Sequence, residues 1–181
     1  MSANFDYAMP LILRAEGFRP GHTGLVDDPD DPGGPTNFGV SLRALRKLGA
    51  VVGDFDGDGD VDADDIKAMT YDDAMTIYAS FYWRPEFDRL HRDVAYRLAD
   101  HWVNAGPRAS AFIGQQAVRA HLVAVSVDGV YGPKTFEAIS RLGVSVVPAI
   151  RAERAGFYRV LIKANATFKK YERGWLNRAY S

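Results

Sequence analysis

Residues 5–18 read FDYAMPLILRAEGF. Phe5, Met9, Ile12 and Glu16 recur at intervals of three and four, the spacing that places side chains on one face of a helix. That face is apolar until its last member, which is a carboxyl. Gly17 follows, the residue type that helix ends favour, so the spacing predicts a helix that delivers Glu16 to its own C-terminus. The chain then enters FRPGHTGLVDDPDDPGGPTNFGV, residues 18–40, which holds five Gly and four Pro. That is too many breakers for a regular element. A structured loop or small β-hairpin region is expected there, and long ordered loops in compact domains commonly carry function.

Downstream the signals are helical. Ser41 is placed to cap SLRALRKL, which Gly49 ends. Thr70 with Asp73 forms an acidic variant of the capping box before DDAMTIYASFYW, whose apolar side holds Ala74, Ile77, Tyr78 and Phe81. Further helices are expected over about 93–105 and 108–121. Asp128-Gly129 and Gly132-Pro133 read as turns, with Pro133 opening KTFEAISRL. A last long helix is expected over 147–168, with Ile150, Phe157, Leu161, Ala164 and Phe168 in register. The fold class is therefore mainly α, without internal repeat or low-complexity linker.

At 181 residues, 47% apolar and 12% aromatic, the chain suits one domain or a catalytic domain with a small subdomain built in. With 22 basic and 23 acidic residues its net charge is −1, which excludes a general nucleic-acid binder. Most of the later Arg and Lys fall in 141–178, the pattern of a solvated helix face or of a surface facing an anionic polymer. Absence of cysteine rules out disulfides and thiolate metal sites. His22, His91, His101 and His121 match no paired-ligand spacing. No serine-nucleophile elbow, phosphate loop or dinucleotide fingerprint is present. No stretch approaches the roughly 20 apolar residues of a membrane span, and the N-terminus has no basic signal-peptide region. Synthesis in the cytoplasm without a signal peptide is expected.

Residues 54–65, DFDGDGDVDADD, carry a second pattern. Asp54, Asp56, Asp58, Asp62 and Asp65 occupy loop positions one, three, five, nine and twelve. Asp60 at position seven offers its carbonyl, Gly59 sits at the sharp turn, and Val61 is the inward apolar residue. Alternate oxygen donors around one turn are what a hard cation needs. The loop resembles EF-hand loops, and Asp at the twelfth position brings it closer to the dockerin variety. One structural calcium is expected; a solvated acidic loop is the plainer reading.

Glycoside hydrolysis requires a carboxylic acid near the leaving oxygen and usually a second carboxylate. A carboxyl at the end of a buried stripe beside a glycine-rich loop can be half-dry and still reachable, although a Glu near a helix end is ordinarily just solvated. The order of short motifs tips the reading. Glu16-Gly17, then Asp31-Pro32-Gly33-Gly34 with Thr36 and Gly39, resembles the signature of glycoside hydrolase family 108, the lysozyme-like N-acetylmuramidases of phage endolysins and bacterial secretion-associated proteins. Tyr82-Trp83, Asp100 with Asn104-Ala105-Gly106, and Gly174-Trp175 with Arg178 continue the resemblance. So do Gln115 or Gln116, Asp128-Gly129 and Gly132-Pro133-Lys134-Thr135, which are similar to a C-terminal peptidoglycan-binding half. Two features depart from the family: His22-Thr23-Gly24 lengthens the loop after Glu16, and the calcium-like insertion is not general.

The resemblance implies a lysozyme-like catalytic part over 1–106, with the insertion at 50–68, and a helical peptidoglycan-binding part over 107–181. Glu16 would be the general acid for hydrolysis of the β-1,4 bond between N-acetylmuramic acid and N-acetylglucosamine. Asp31 is the first candidate for a facing carboxylate, with Asp27 and Asp28 behind it; before prolines, Asp28 and Asp31 also suit plain turn roles. Thr36 is the alternative, as holder of the attacking water. Asp100 and Asn104, four apart on a helix, either bind glycan or bond to each other and a loop backbone. Tyr82, Trp83 and Trp102 suit sugar stacking, although aromatics at helical spacing usually pack a core, and Trp175 is expected to anchor the C-terminal segment. Peptidoglycan is the expected partner, with no organic cofactor, for a monomer acting in the periplasm. Release through a holin fits a phage endolysin, and a bacterial secretion factor would look similar. A non-catalytic wall-binding module and a lytic transglycosylase are the rival readings.

Overall fold

The structure, a computed structural model, describes residues 1–19, 24–28 and 33–181. Helices carry most of the chain, and among the described residues the one sheet has two strands of two residues each. The chain divides into two compact units, Met9–Phe81 and Met1–Ala8 with Tyr82–Ser181.

In the 9–81 unit, the end of helix α1 (Ala3–Ala15) buries Met9, Ile12 and Leu13. Strands β1 (Thr36–Asn37) and β2 (Val40–Ser41) form the expected hairpin, pairing Thr36 with Ser41 and Asn37 with Val40. Side chains alternate across a strand, so Asn37 and Val40 are buried while Thr36 and Ser41 share the more open face. The two connecting residues, Phe38 and Gly39, have φ of 48° and 78°, the left-handed pair that a tight two-residue hairpin of right-twisted strands requires. Ser41 caps helix α2 (Leu42–Leu48) by accepting the Ala44 N–H at 3.3 Å. Short helices α3 (Ala50–Gly53) and α4 (Ala63–Ala68) bracket the acidic loop. Helix α5 (Tyr71–Ile77) opens with the expected capping box: Thr70 Oγ1 accepts the Asp73 N–H at 3.2 Å, and Asp73 accepts the Thr70 N–H at 2.9 Å. Beyond Ile77 the chain widens into a π turn over Tyr78–Tyr82, a local insertion that pattern reading treats as ordinary helix.

The other unit is built from α6 (Arg92–Ala105), α7 (Pro107–Ala120), α8 (Pro133–Leu142), α9 (Val147–Ala164) and α10 (Glu172–Tyr180). Helix α7 packs on α6, α8 and α9, and α10 packs back on α9. Gly106, at φ 88°, breaks α6 from α7, and Pro107 opens the new helix where its missing N–H costs nothing. Phe87 is fully buried and meets Trp83, Trp102, Tyr131 and Phe136 edge-on at 5.5–6.0 Å between ring centroids. The helix expected over 147–168 ends at Ala164 instead. Asn165 leaves the helix and its side chain accepts the Thr167 N–H at 3.0 Å, capping a 3-10 turn over Ala166–Tyr171. An asparagine competes with the helix backbone for hydrogen bonds, and here it wins despite the apolar register. Trp175 of α10 then stacks on Tyr158 at 5.2 Å and on Tyr171 at 5.5 Å, the anchoring role expected of it. No helix is long and apolar enough to cross a membrane among the described residues.

Candidate active site

Glu16 stands at the C-cap of α1. The Phe18 N–H reaches Leu13 O at 2.9 Å and the Gly17 N–H reaches Arg14 O at 3.2 Å, the crossed pair of bonds that closes a helix through a left-handed residue. Gly17 provides that residue at φ 97°, and a Cβ there would meet nothing, so conformation alone demands the glycine. The Glu16 carboxyl is thus delivered, half-buried, at the end of a helix whose preceding turn is anchored by Ile12 and Leu13, both fully buried.

The hairpin turn comes against it. A Cβ on Gly39 would lie 2.6 Å from the Tyr78 hydroxyl oxygen and 2.9 and 3.1 Å from Cβ and Cγ of Glu16. Tyr78, first residue of the π turn and buried, donates its hydroxyl to Phe38 O at 3.1 Å. Phe38 holds a positive φ that bulky residues avoid. Its ring is gripped by Phe18 at 5.8 Å and by Tyr71 at 6.1 Å between centroids. Strained backbone of this kind persists where neighbours over-determine it. Here four elements converge on one carboxyl: the helix end, the hairpin turn, the π turn and an aromatic cluster. Gly39→Ala is expected to lower stability by about 1–3 kcal/mol, because it combines positive φ with overlap against two packed side chains. It should also cut lytic activity of the remaining folded protein about tenfold or more by displacing Glu16; a denaturant melt beside a turbidity assay separates the two effects.

Thr36 begins the same hairpin, three residues before Gly39. Its backbone exchanges two hydrogen bonds with Val26, 2.9 and 2.8 Å long, which ties residues 24–28 to the strand. Asp27 and Asp28 are exposed on that segment. Asp31 and His22 lie outside the described residues. Tyr82, at the end of the π turn, is half-buried, and burial pushes its hydroxyl above the usual phenol range. Trp83 belongs to the Phe87 aromatic core and donates its indole N–H to Asp88 at 3.0 Å.

Asp100 is turned inward. It is fully buried, pairing with the equally buried Arg154 through Oδ2 and with Arg178 through Oδ1 at 2.8 Å. The expectation that it binds glycan gives way to an ion-pair role joining α6, α9 and α10, because two guanidiniums occupy its carboxylate. Asn104 stays exposed, and its amide oxygen accepts the Tyr158 hydroxyl at 2.8 Å. Asp100 and Asn104 therefore look to different partners, not to each other. Neighbouring His101 has no exposed surface and, among the described residues, no hydrogen-bond partner on either ring nitrogen. Burial, reinforced by the charges of Arg154 and Arg178, pushes its pKa down to about 3 and keeps it neutral.

The acidic loop converges on Asp65. Its buried carboxylate accepts N–H groups from Phe55 at 2.6 Å and Asp62 at 2.7 Å. Burial would raise its pKa, yet these backbone donors hold it below the ordinary carboxylate range. Oxygens of Asp54, Asp56 and Asp65 lie within 4.8 Å of one another, and so do oxygens of Asp60, Asp62 and Asp65. Each triad is compact enough for a cation with ligands at about 2.3–2.6 Å. Asp58 stands outside both groups, where its Oδ1 accepts the Asp60 N–H at 3.1 Å. Asp62 and Asp65 also form the capping box of α4, a structural duty independent of any metal. The loop is tied to the hairpin, since Asn37 donates to Ile66 O at 2.9 Å just beyond it.

In the C-terminal half, Gln115 is buried and clamps the 128–130 turn: its amide nitrogen donates to Asp128 at 2.8 Å and to Val130 O at 2.9 Å. Its oxygen accepts the Asp128 and Gly129 N–H groups at 3.1 and 3.0 Å. The motif glutamine is therefore Gln115, while Gln116 points outward.

Comparison with known proteins agrees with this layout. Residues 9–106 match the family model Glycosyl hydrolase 108, and residues 109–180 match the Predicted Peptidoglycan domain. Among solved structures the chain is similar to Brucella abortus SagA, at 29% identity and a TM-score of 0.70. The match covers 97% of this chain and 88% of that one. No curated protein matches it. A family model that spans more than half of the chain, followed in order by the peptidoglycan model, leads to one conclusion: the chain belongs to glycosyl hydrolase family 108, a lysozyme-like glycoside hydrolase joined to a peptidoglycan-binding part.

Proposed function

We propose that this protein is a muramidase. It hydrolyses the β-1,4 bond between N-acetylmuramic acid and N-acetylglucosamine, with Glu16 as the general acid. The observation that carries the reading is the seat of Glu16, a half-buried carboxyl fixed at a helix end and backed by Gly39 and the Tyr78-bound turn. A protonated Glu16 gives its proton to the glycosidic oxygen as the bond to the anomeric carbon breaks. Water then adds to that carbon and its proton leaves to a second group. Thr36, on the open face of the hairpin, is the proposed holder of that water, and Asp31 the proposed carboxylate alternative. Tyr82 and Asn104 remain proposed sugar contacts. The periplasm is the proposed place of action, and a monomer the working species.

A zymogram of the full chain on purified sacculi tests the assignment. A clearing band is expected, and tight sacculus binding without clearing would make the protein a wall-binding module instead.

Calcium at the 54–65 loop belongs to the same proposal. Asp54, Asp56, Asp60, Asp62 and Asp65 would hold the ion, which would offset their mutual repulsion and brace the loop that Asn37 ties to the hairpin. Chelation is expected to lower Tm by several degrees, as removal of a ligand bound only to the folded state should. Differential scanning calorimetry with and without added calcium reads this directly, and coincident curves would reduce the loop to a solvated acidic turn.

A further inference from the structure

A cleft of about 450 Å³ in the 82–181 unit lies between the 3-10 turn at Pro85–Arg89 and helix α8. Its floor is apolar, made of Leu90, Tyr131 and Phe136, all three buried. Tyr131 spends its hydroxyl on Ser110, donating to the carbonyl at 3.0 Å, so it offers the cleft only its ring. The walls carry three guanidiniums, Arg84, Arg89 and Arg141. Arg84 is held rigid: two bonds to Glu86, 3.1 and 2.8 Å long, fix its plane, and its charge sits 5.9 Å from the Trp102 ring centroid and 5.6 Å from that of Phe136. Arg141 pairs with Glu137 at 2.5 Å, and Arg89 forms no ion pair among the described residues.

This inventory selects a ligand. Both acidic side chains are already engaged by arginines, and guanidinium groups only donate. The cleft therefore offers donors above an apolar base and few free acceptors. A neutral glycan, whose hydroxyls must both donate and accept, finds little there. A short peptide with free carboxylates and small aliphatic side chains finds both parts it needs, since guanidinium binds carboxylate in a forked, planar geometry. In peptidoglycan that component is the peptide stem. We propose that this cleft binds the carboxylate-bearing peptide stem of peptidoglycan, an inference that rests on peptidoglycan being the substrate. Arg89 grips a carboxylate, Arg84 and Arg141 lend the N–H groups that their glutamates leave free, and Tyr131 with Phe136 receives the aliphatic side chains.

The test is isothermal titration of the full chain with a synthetic stem tetrapeptide bearing free carboxylates, and with the same peptide fully amidated. The acid form is expected to bind, and amidation or the double variant Arg89→Gln/Arg141→Gln to weaken it about tenfold. Both arginines are exposed, and an unchanged thermal melt verifies the fold of the variant. Equal binding of acid and amide, no binding of either, or an undiminished affinity in the folded variant overturns the proposal. Sacculus digestion by the wild type, run in parallel, keeps two failures apart. Digestion without stem binding removes the cleft alone, whereas stem binding without digestion removes the hydrolase reading and leaves the cleft.

Discussion

Replacing Glu16 by Gln is expected to lower glycan hydrolysis by about 10²–10⁴-fold or more, with an unchanged thermal melt. The amide keeps the size of the side chain, so the packing of Gly39 against its Cβ and Cγ is preserved. What it loses is the proton that the departing oxygen must receive, and a glycosidic oxygen leaves poorly as an alkoxide. The bonds that close α1 run between backbone groups of Leu13, Arg14, Gly17 and Phe18, and the variant keeps them. Stability and activity should therefore separate cleanly in this variant. A fall in Tm matching the fall in activity would instead mean that Glu16 holds the hairpin together.

The second large effect concerns stability. Asp100→Asn is expected to cost roughly 3–5 kcal/mol, because removing one partner from a buried pair strands the other charge. Arg154 has no exposed surface, and its Nε and Nη1 have no hydrogen-bond partner among the described residues, so a neutral amide leaves its charge buried without a counter-ion on Asp100. Arg178 would keep only a neutral amide oxygen in place of the carboxylate that its Nη2 meets at 2.8 Å, loosening α10 from α6. Chemical denaturation of the variant beside the wild type measures this. A normal transition midpoint accompanied by weaker glycan binding would return Asp100 to a role at the sugar.

That ion pair shows where sequence reading stops. Asp100 and Asn104 sit four apart on a helix, a spacing that suits a shared ligand and a bond to each other equally well. Their true partners lie 54 and 78 residues away in the chain, and no local pattern points to Arg154 or Arg178. The closing Gly174-Trp175 and Arg178 motif becomes intelligible only once Arg178 is seen on Asp100. The place of Glu16 at a helix end, by contrast, was legible, because helix periodicity and a terminal glycine are local and physical; its role as an acid comes from the family resemblance alone. The hairpin was legible as a region but not as a mechanism. Nothing in TNFG announces that Phe38 takes a positive φ, or that Gly39 is needed as much for the room it leaves Tyr78 and Glu16 as for its backbone. Tyr78 was read as one more apolar helix position, since a π turn leaves the apolar pattern unbroken. Asn165 gives the opposite lesson: a single capping side chain ended a helix that five apolar residues in register had extended. Arg84 is not legible in sequence, because its value lies in two rings and a carboxylate that fix its plane, and a lone arginine shows none of them.

The central claim is the bond that is cut and the residue that protonates it. Mass spectrometry of the soluble products from purified peptidoglycan, wild type beside Glu16→Gln, tests both at once. Reducing muropeptides ending in N-acetylmuramic acid, present with the wild type and absent with the folded variant, are the predicted result. Anhydro-muropeptides, N-acetylglucosamine reducing ends, or undiminished release by Glu16→Gln would contradict it.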